Sequence, residues 1–234
     1  MNNFCSHVHD AEVLFKTDEQ LASVAGEIKK YQILADDTSV AKTVAALQEH
    51  HGAEVHIVDS REEALKALIA AIPEGASISA AGSHTLTQIG YDDWAKLQTS
   101  HKDFKALSLV KYGTPEGVDL RRQGLSADVF FTSVCAISEE GELYAVDWSG
   151  TRTGGFLAAK KLVVIAGTHK IVPNHEAILE RTENFCLPVE SARVRDAYKI
   201  LRSQIGTVVQ LNMNSPISQD GHLTVILVKE ALGY

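Results

Sequence analysis

The 234-residue sequence has few cysteines and no long apolar segment. Its three cysteines, Cys5, Cys135 and Cys186, are too scattered for a disulfide framework, so we expect a reducing compartment, by default the cytoplasm. No apolar run is long enough to cross a bilayer, and residues 1–10 contain no basic stretch followed by an apolar one. We therefore expect a cytoplasmic protein without a membrane partner.

Positive charge is also scarce. Lysine and arginine number 22 against 30 aspartates and glutamates, which gives a formal net charge of −8. Such a surface repels phosphate backbones, so no nucleic-acid partner is expected, although a local basic pocket remains compatible with the charge. The sequence also lacks a Walker loop, a Gly-x-Gly-x-x-Gly motif and a Cys-x-x-Cys motif, so no common nucleotide or redox signature applies.

Short β-branched and aromatic runs predict buried strands that alternate with amphipathic helices. The predicted strands are 54–59, 77–82, 104–110, 161–166 and 223–228, with an apolar run from Ala127 and a more alternating run that ends at Asp147. The predicted helices are one or two within 10–28, then 38–51, 60–72, 83–89, 91–97, 115–125, 173–183 and 188–203. Residues 54–82 are predicted to form one β-α-β unit with a right-handed crossover.

This pattern predicts one α/β domain. Residues 53–234 are expected to form its parallel-rich sheet with helices on both faces. Residues 1–52 are expected to add an N-terminal helical appendage to the same domain. In open sheets of this kind, ligands bind beyond the carboxyl ends of the strands, so polar residues at those ends are the candidates for a site.

The first candidate is the turn formed by Gly82, Ser83, His84 and Thr85, between a predicted strand and a predicted helix. A glycine permits close approach of a ligand to the backbone, and hydroxyls with free N–H groups at a helix start favour anions. The alternative is that Ser83 only caps the helix, which requires no ligand.

The second candidate is the loop with Asp147, Gly150, Thr151 and Arg152. Arg152 has the geometry to bind a carboxylate or phosphate in bidentate fashion, but a surface arginine paired with a nearby acid fits equally well. His169 and Lys170 follow a buried predicted strand, which places them near the same crevice if that strand is parallel to its neighbours. Solvated loop residues are the alternative for this pair.

Three further features carry weaker predictions. Glu139 and Glu140 could supply a general base or a covalent carboxylate, although a plain β-turn with Gly141 explains them more simply. Cys135 is predicted to be a small core residue. The segment from Cys5 to Asp10 has metal-ligand residue types, but a terminal tail does not supply the held framework that a tetrahedral site needs, so no metal is expected.

The sequence resembles the LUD domain family, whose members include the lactate-utilisation proteins of bacteria. The residues that carry the resemblance are Ala81–Gly90, Leu120–Arg122, Ser126–Leu143, Val146–Asp147, Gly150–Arg152, Lys161–Ala166, His169–Val172 and Leu223–Tyr234. The resemblance implies a NagB/RpiA/CoA-transferase-like fold. It also implies that the Gly82–Thr85 turn binds the anionic group of a substrate and that Glu139 or Glu140 is a weaker candidate for a catalytic carboxylate.

One departure from the family pattern affects the cofactor prediction. Some members carry a cysteine-rich segment before the final strand that suits an iron–sulfur cluster, whereas Thr207–Gly221 contains no cysteine here. Four thiolate ligands cannot be found, so we expect no iron–sulfur cluster and no other cofactor bound by this chain alone. Any electron transfer would then depend on partner subunits.

The resemblance leaves three functions open. The first is binding of a small anionic metabolite as a non-cluster subunit of an iron–sulfur L-lactate-oxidising system. The second is a stand-alone isomerase or CoA-transferase-like enzyme that acts on a sugar phosphate or acyl-CoA through Glu139 or Glu140. The third is a non-catalytic metabolite-binding protein. The sequence leaves open both catalysis and assembly into a homo-oligomer.

Overall fold

The computed structural model describes residues 11–213 and 221–234. The cysteine and histidine motif between Cys5 and Asp10 lies outside the described residues, so the prediction made for it stays a prediction. Within the described ranges, no group of three or more histidine, cysteine or acidic side chains is placed to hold a metal ion. No helix in those ranges combines the length and the apolar character needed to cross a membrane.

In the described residues, nine strands form two sheets. In chain order they are β1 (Glu54–Val58), β2 (Ile78–Ala80), β3 (Val129–Thr132), β4 (Ala136–Ser138), β5 (Leu143–Asp147), β6 (Lys161–Gly167), β7 (Ile171–Val172), β8 (Thr207–Leu211) and β9 (Leu223–Val228). The main sheet has the order β1-β9-β6-β3-β2 and is parallel throughout. The small sheet has the order β7-β4-β5-β8 and contains the antiparallel β4–β5 hairpin.

Twelve α-helical segments within the described part of the chain connect and cover the strands. They are α1 (Ala11–Thr17), α2 (Glu19–Ala22), α3 (Ala25–Ile28), α4 (Asp37–His51), α5 (Arg61–Ala70), α6 (His84–Gln88), α7 (Tyr91–Leu97), α8 (Phe104–Val110), α9 (Pro115–Gly124), α10 (Thr153–Ala158), α11 (His175–Arg181) and α12 (Leu187–Tyr198). A π-helical turn over Thr182–Cys186 joins α11 to α12. Short 3-10 turns cover Lys29–Gln32 and Thr168–Lys170.

The central strands are buried on both faces because helices cover the main sheet from both sides. Along β6, Leu162 and Val164 belong to a core with Val40 and Leu47 of α4, whereas Val163 belongs to a second core. That second core includes helical residues from the opposite face, Ala64, Leu68, Leu86 and Tyr91. This alternation explains why β6 and β9 are almost continuously apolar, and it confirms the predicted α/β fold class.

The small sheet joins the main sheet at the point where β3 and β6 end. Residues 133–135 lead from β3 into β4, and the turn Thr168–Lys170 leads from β6 into β7. One side of the β4–β5 hairpin, Ile137 and Leu143, packs into the core with α4. Its other side, Ala136 and Tyr144, packs against the terminal helices. Polar residues that follow β3 and β6 are therefore held between two sheets.

The N-terminal helices α1–α3 pack against the C-terminal helices. Leu14 and Leu21 share a core with Phe185 and Val189. Arg195 of α12 also donates to the Asp18 carboxylate, at 2.7 and 2.8 Å. Helix α4 instead packs on the main sheet. The division of the domain at residue 52 stays a prediction.

Helix-capping residues in the sequence predict several helix boundaries correctly. The Asp36 side chain accepts a hydrogen bond from the Ser39 N–H at the start of α4, and Gly52 ends the helix in the left-handed region with φ of 58°. Ser60 caps α5 as predicted, and Thr114 caps α9 with Pro115 in its first turn.

One sequence prediction is wrong, and two features of the sheets were not predicted. Residues 104–110 are predicted as a strand but form α8, because the Asp103 carboxylate accepts a hydrogen bond from the Ala106 N–H and the two buried residues, Phe104 and Ser108, are four residues apart on one helical face. The two strands of the predicted β-α-β unit, β1 and β2, both belong to the parallel main sheet but lie at its opposite edges, with β9, β6 and β3 between them. Strand β8 was missed because its exposed residues give no apolar run.

We expect Gly167→Ala to destabilise the protein by about 2–3 kcal/mol, because overpacking a tight site forces the backbone to move. A Cβ at this position, the last residue of β6, would lie 2.2 Å from the Glu230 carbonyl oxygen and 2.6 Å from His169 Nδ1. The control is Gly26→Ala in α3, where a Cβ would meet nothing within 4 Å. Urea unfolding of both variants checks this, and equal midpoints would contradict the close packing at Gly167.

Candidate functional site

A cleft of about 570 Å³ opens beyond the carboxyl ends of β2, β3 and β6. Its walls come from the turn after β2, the segment after β3, the loop after β5 and the end of β6, with α12 and the last residue, Tyr234, on another side. Carboxyl ends of parallel strands are the usual place for a ligand in open α/β sheets. The predicted site residues that line it are Gly82, Ser83, His84, Thr85, Asp147, Thr151, Arg152 and Lys170.

The turn after β2 presents Gly82 and Ser83 to the cleft. Ser83 caps α6, since its Oγ accepts a hydrogen bond from the Leu86 N–H at 3.3 Å. Ser83 therefore does cap the helix, as the alternative predicts. Helix α6 has only five residues, so its dipole alone is too weak to make an anion site. A Cβ on Gly82 would meet nothing within 4 Å, so the backbone of this turn faces open space.

His84 and Thr85 extend this wall toward the C-terminus. The His84 ring lies 5.5 Å from the Tyr234 ring, centroid to centroid. Thr85 is buried, and its hydroxyl donates to the Leu232 carbonyl at 3.2 Å. The C-terminal segment is thus fixed against the turn after β2.

The loop after β5 is organised by a single carboxylate, Asp147. Its oxygens accept hydrogen bonds from the backbone N–H groups of Ser149, Gly150, Arg152 and Thr153, at 3.0, 3.1, 2.7 and 3.3 Å. Gly150 takes φ of 71°, a backbone conformation that few other residues adopt. Asp147 is therefore a residue that shapes the loop, and its side chain is already occupied.

Arg152 connects the two loops. Its Nη2 donates to the Gly82 carbonyl at 2.8 Å and its Nη1 to the Val146 carbonyl at 3.0 Å. Its Nε is buried and has no hydrogen-bond partner among the described residues. Within that part of the chain no ion pair joins Arg152 to an acid, so the predicted alternative of a surface arginine paired with a carboxylate does not describe its side chain. Two loops that are 70 residues apart in sequence therefore meet at one guanidinium.

Lys170 lies at the base of the cleft and is almost fully buried. Its Nζ donates to Thr85 Oγ1, Ser133 Oγ and the Val134 carbonyl, at 3.0, 3.1 and 3.1 Å. Burial, with the neighbouring positive charge of Arg181 as the second cause, lowers the pKa of Lys170 to about 7. The predicted alternative of a solvated loop lysine is wrong.

The cleft is locally basic although the whole chain is acidic. Its lining includes Lys105, Arg121, Arg152, Lys170 and Arg193, against Asp92, Asp147 and Glu190. The acids are engaged within the lining itself. Asp92 pairs with Lys105 and Glu190 with Arg193, while Asp147 binds the backbone of its own loop. This arrangement leaves the guanidinium of Arg152 and the amine of Lys170 bonded to neutral oxygens, which favours an anionic ligand.

The sequence of residues 40–228 matches the family model described as the LUD domain. The chain belongs to the LUD domain family. Among solved structures it is similar to a DUF162 family protein from Deinococcus radiodurans, at 15% identity and a TM-score of 0.53, over 84% of this chain and 99% of that one. A second match, eIF2B delta from Chaetomium thermophilum, has 14% identity and a TM-score of 0.28, over 69% and 55% of the two chains. A comparison with curated proteins found no match.

The LUD domain contains a buried thiol pair that the sequence predictions missed. Cys135 and Cys186 both line the cleft, and the Nη1 of Arg181 donates to the Cys135 carbonyl and, at 3.0 Å, to Cys186 Sγ. A hydrogen bond from Cys186, supported by the charges of Arg152 and Lys170, lowers the pKa of Cys135, whereas burial raises the pKa of Cys186. Cys135 is buried as predicted, but the apolar strand pattern around it concealed its position at the cleft.

His169 lies outside the cleft lining of this LUD domain. It is buried below Gly167, where burial lowers the pKa of its imidazole well below the ordinary range. Among the described residues, neither buried ring nitrogen of His169 has a hydrogen-bond partner. The predicted ligand-binding role of His169 is not supported by its position, whereas Lys170, the next residue, does face the cleft.

Glu139 and Glu140 are also away from the cleft. They form the turn of the β4–β5 hairpin with Gly141, whose φ is 84°, which agrees with the plain β-turn interpretation. This turn packs against α4. Lys42 Nζ lies 3.0 Å from the Glu139 carboxylate, and His50 Nδ1 lies 3.0 Å from the Glu140 carbonyl. Hydrogen bonds from Ser39 and Lys42 lower the pKa of Glu139. The structure therefore does not bring these two acids to the other predicted site residues.

Proposed function

We propose that this LUD-domain protein binds a small metabolite that carries a carboxylate or phosphate, in the cleft between the Ser83 turn and the Arg152 loop. The observation that supports it most strongly is the placement of Arg152, which joins both loops through two of its five N–H donors and leaves Nε without a partner in the described residues. A planar fork of donors is suited to a carboxylate or phosphate. The cleft volume of about 570 Å³ is within the usual range for small-molecule sites.

In the proposed complex each residue has a distinct part. Arg152 binds the anionic group, and the open backbone at Gly82 and Ser83 lets that group approach the turn. The ammonium form of Lys170 adds positive charge at the base of the cleft. Asp147 does not touch the ligand but holds the loop that presents Arg152.

We propose further that the protein acts in the cytoplasm as a non-cluster subunit of an iron–sulfur system that oxidises L-lactate. Family membership supports a relation to lactate-utilisation proteins. The donor set does not fit a cluster in this chain, since three cysteines cannot supply four thiolate ligands and two of them are buried beside Arg181. Redox centres would therefore belong to partner subunits. Affinity purification from cells that oxidise lactate tests this, and a preparation without iron–sulfur or flavin proteins would contradict it.

The binding proposal predicts a specific effect of Arg152→Ala. We expect the affinity for the anion to fall about 10- to 100-fold, because a charged hydrogen-bonding group contributes about 1.5–3 kcal/mol. A screen of L-lactate, sugar phosphates and CoA esters by thermal shift selects the ligand, and calorimetry measures its affinity. Because Arg152 bonds two backbone carbonyls, the variant should also lose about 1–2 kcal/mol of stability.

The matched control is Arg122→Ala on α9. The Arg122 side chain is exposed and makes one long contact of 3.5 Å to Asp119, so ligand affinity should not change. An Arg152→Ala protein that is folded and binds as tightly as the natural protein would remove Arg152 from the site.

Substitutions at Glu139 and Glu140 separate the binding proposal from the enzyme alternative with a glutamate base. We expect Glu139→Gln and Glu140→Gln to leave ligand affinity and any turnover of a sugar phosphate or acyl-CoA unchanged, because both residues lie on the α4 side of the small sheet. Calorimetry and a turnover assay with the two variants check this. If the natural protein turns over such a substrate and either variant does not, the glutamate mechanism is supported instead. Tight binding without turnover or redox partners would support the non-catalytic alternative.

A further inference from the structure

Ser133 and Lys170 form a hydroxyl–amine pair at the base of the cleft. Ser133 follows β3 and Lys170 follows β6, two adjacent parallel strands, so the sheet itself brings their side chains together. The distance from Ser133 Oγ to Lys170 Nζ is 3.1 Å. Both residues are at least nine-tenths buried, and both contribute to the cleft lining.

The surroundings of Lys170 suit a base. Its three hydrogen-bond partners, Thr85 Oγ1, Ser133 Oγ and the Val134 carbonyl, are neutral oxygens. A buried lysine without a carboxylate partner loses its proton easily, and a neutral amine within hydrogen-bond distance of a hydroxyl can activate that hydroxyl as a nucleophile. The Ser–Lys pair is a known variant of the serine nucleophile and base arrangement.

We propose that Ser133 is a nucleophile that accepts an acyl group, that Lys170 is its general base, and that the cleft therefore takes a small activated acyl compound, an ester or thioester. The proposal rests on the proposed function in one respect, because the acyl compound must enter the same cleft. It assigns the chemistry to residues that the binding proposal uses only for charge or not at all.

The reaction balances without an oxidant or a reductant. The Ser133 hydroxyl gives its proton to the Lys170 amine as Oγ bonds to the acyl carbon, and the bond from that carbon to the leaving thiolate or alkoxide breaks. The leaving group takes the proton from Lys170. Water then gives a proton to Lys170 and attacks the acyl-serine, the acyl carbon–Oγ bond breaks, and Ser133 recovers the proton. The net reaction is an ester or thioester plus water giving a carboxylic acid plus an alcohol or thiol.

Two other nucleophiles in the cleft fit the geometry less well. The Nζ of Lys170 is surrounded by three oxygens, so an acyl carbon cannot approach it directly. Proton transfer does not require such an approach, because Nζ already contacts the Ser133 hydroxyl. The Cys135 thiol is buried beside Cys186, whose Sγ contacts the Cys135 carbonyl and accepts a hydrogen bond from Arg181. Ser133 and Thr85 both have the Lys170 amine in hydrogen-bond distance, but the Thr85 hydroxyl donates its proton to the Leu232 carbonyl.

The test is acylation of the full-length protein with p-nitrophenyl acetate and with acetyl-CoA, followed by intact mass measurement and peptide mapping. We expect an acetyl group on Ser133, and a rate of its formation that rises with pH through about 7, where Lys170 becomes neutral. Ser133→Ala should abolish the adduct, and Lys170→Met should slow its formation by about 100-fold or more. Ser126→Ala, at an exposed hydroxyl outside the cleft that donates to the Gln123 carbonyl, is the control, and its adduct should form on Ser133 at the rate of the natural protein.

Thermal melting of each variant shows whether it is folded, and Ser133→Cys offers a replacement nucleophile if Ser133→Ala does not fold. Acetylation at Lys170 or Cys135 instead of Ser133 would overturn the proposal. A natural protein that binds the anion selected by the screen but is not acetylated would also overturn it. In that last case the binding function stands and only the acyl chemistry fails. Absence of both binding and acetylation would remove both proposals.

Discussion

Replacing Asp147 with alanine should destabilise the protein by about 3 kcal/mol and abolish anion binding, since four exposed or half-buried backbone donors lose their charged acceptor and a hydrogen bond to a charged group contributes about 1.5–3 kcal/mol. One side chain accepts hydrogen bonds from four backbone N–H groups of the loop, those of Ser149, Gly150, Arg152 and Thr153. Without it, the loop has no other described group that orders these amides, and Arg152 loses its fixed position. Urea unfolding and calorimetry measure the two effects.

Asp59→Ala is the matched control for this change. Asp59 is exposed and pairs with Lys229 at 3.1 Å, an ion pair of the kind that contributes about 1 kcal/mol or less. The control should bind the anion as the natural protein does. An Asp147→Ala protein with unchanged affinity would show that the loop keeps its shape without the carboxylate, and the account of how Arg152 is positioned would then be wrong.

In the natural protein the free energy of unfolding should rise with pH above about 7, and Lys170→Met should remove a large part of that rise. The pKa of Lys170 is lowered from its ordinary value of 10.5 to about 7 in the folded protein, chiefly by burial. Between these two values the unfolded chain binds a proton that the folded protein does not, so the free energy of unfolding rises as pH rises through this range. The stabilisation is complete above the unfolded pKa and is lost as pH falls through the folded pKa. A shift of this size corresponds to at most about 5 kcal/mol.

Chemical unfolding across pH 7 to 10.5 tests this prediction, because these limits are the two pKa values of Lys170. The natural protein should gain stability over that range relative to Lys170→Met. Lys66→Met, at an exposed position of α5, should follow the natural protein because its charge stays in water in both states. Parallel curves for the natural protein and Lys170→Met would show that Lys170 keeps its proton throughout the range. That result would also remove the base from the proposed acyl chemistry.

Much of the fold could be predicted because local signals and the sheet pattern agree. Ser60 and Thr114 mark helix starts through their side-chain hydrogen bonds, and the continuous apolar residues of β6 indicate a strand buried on both faces. Strand order could not be predicted, since nothing near β1 and β2 in sequence shows that three strands separate them. Phe104–Val110 is mistaken for a strand because a short segment rich in apolar residues fits both the helical and the strand period.

The site could be predicted only where residue type and strand end coincide. Gly82, Ser83 and Arg152 follow that rule, and the structure brings them to one cleft. Ser133 and Cys186 could not be found in this way. Ser133 is concealed within an apolar stretch, and Cys186 comes from a helical segment whose packing against the sheet depends on contacts distant in sequence. The glutamates beside Gly141 had a suitable residue type, but α4 holds their turn away from the cleft.

A crystal structure of the protein with the carboxylate or phosphate ligand selected by the thermal-shift screen tests the central claim most directly. The account predicts that the anionic group lies within hydrogen-bond distance of the Arg152 guanidinium and against the backbone of Gly82 and Ser83. An anion bound at another surface, with Arg152 still bonded only to the Gly82 and Val146 carbonyls, would contradict it.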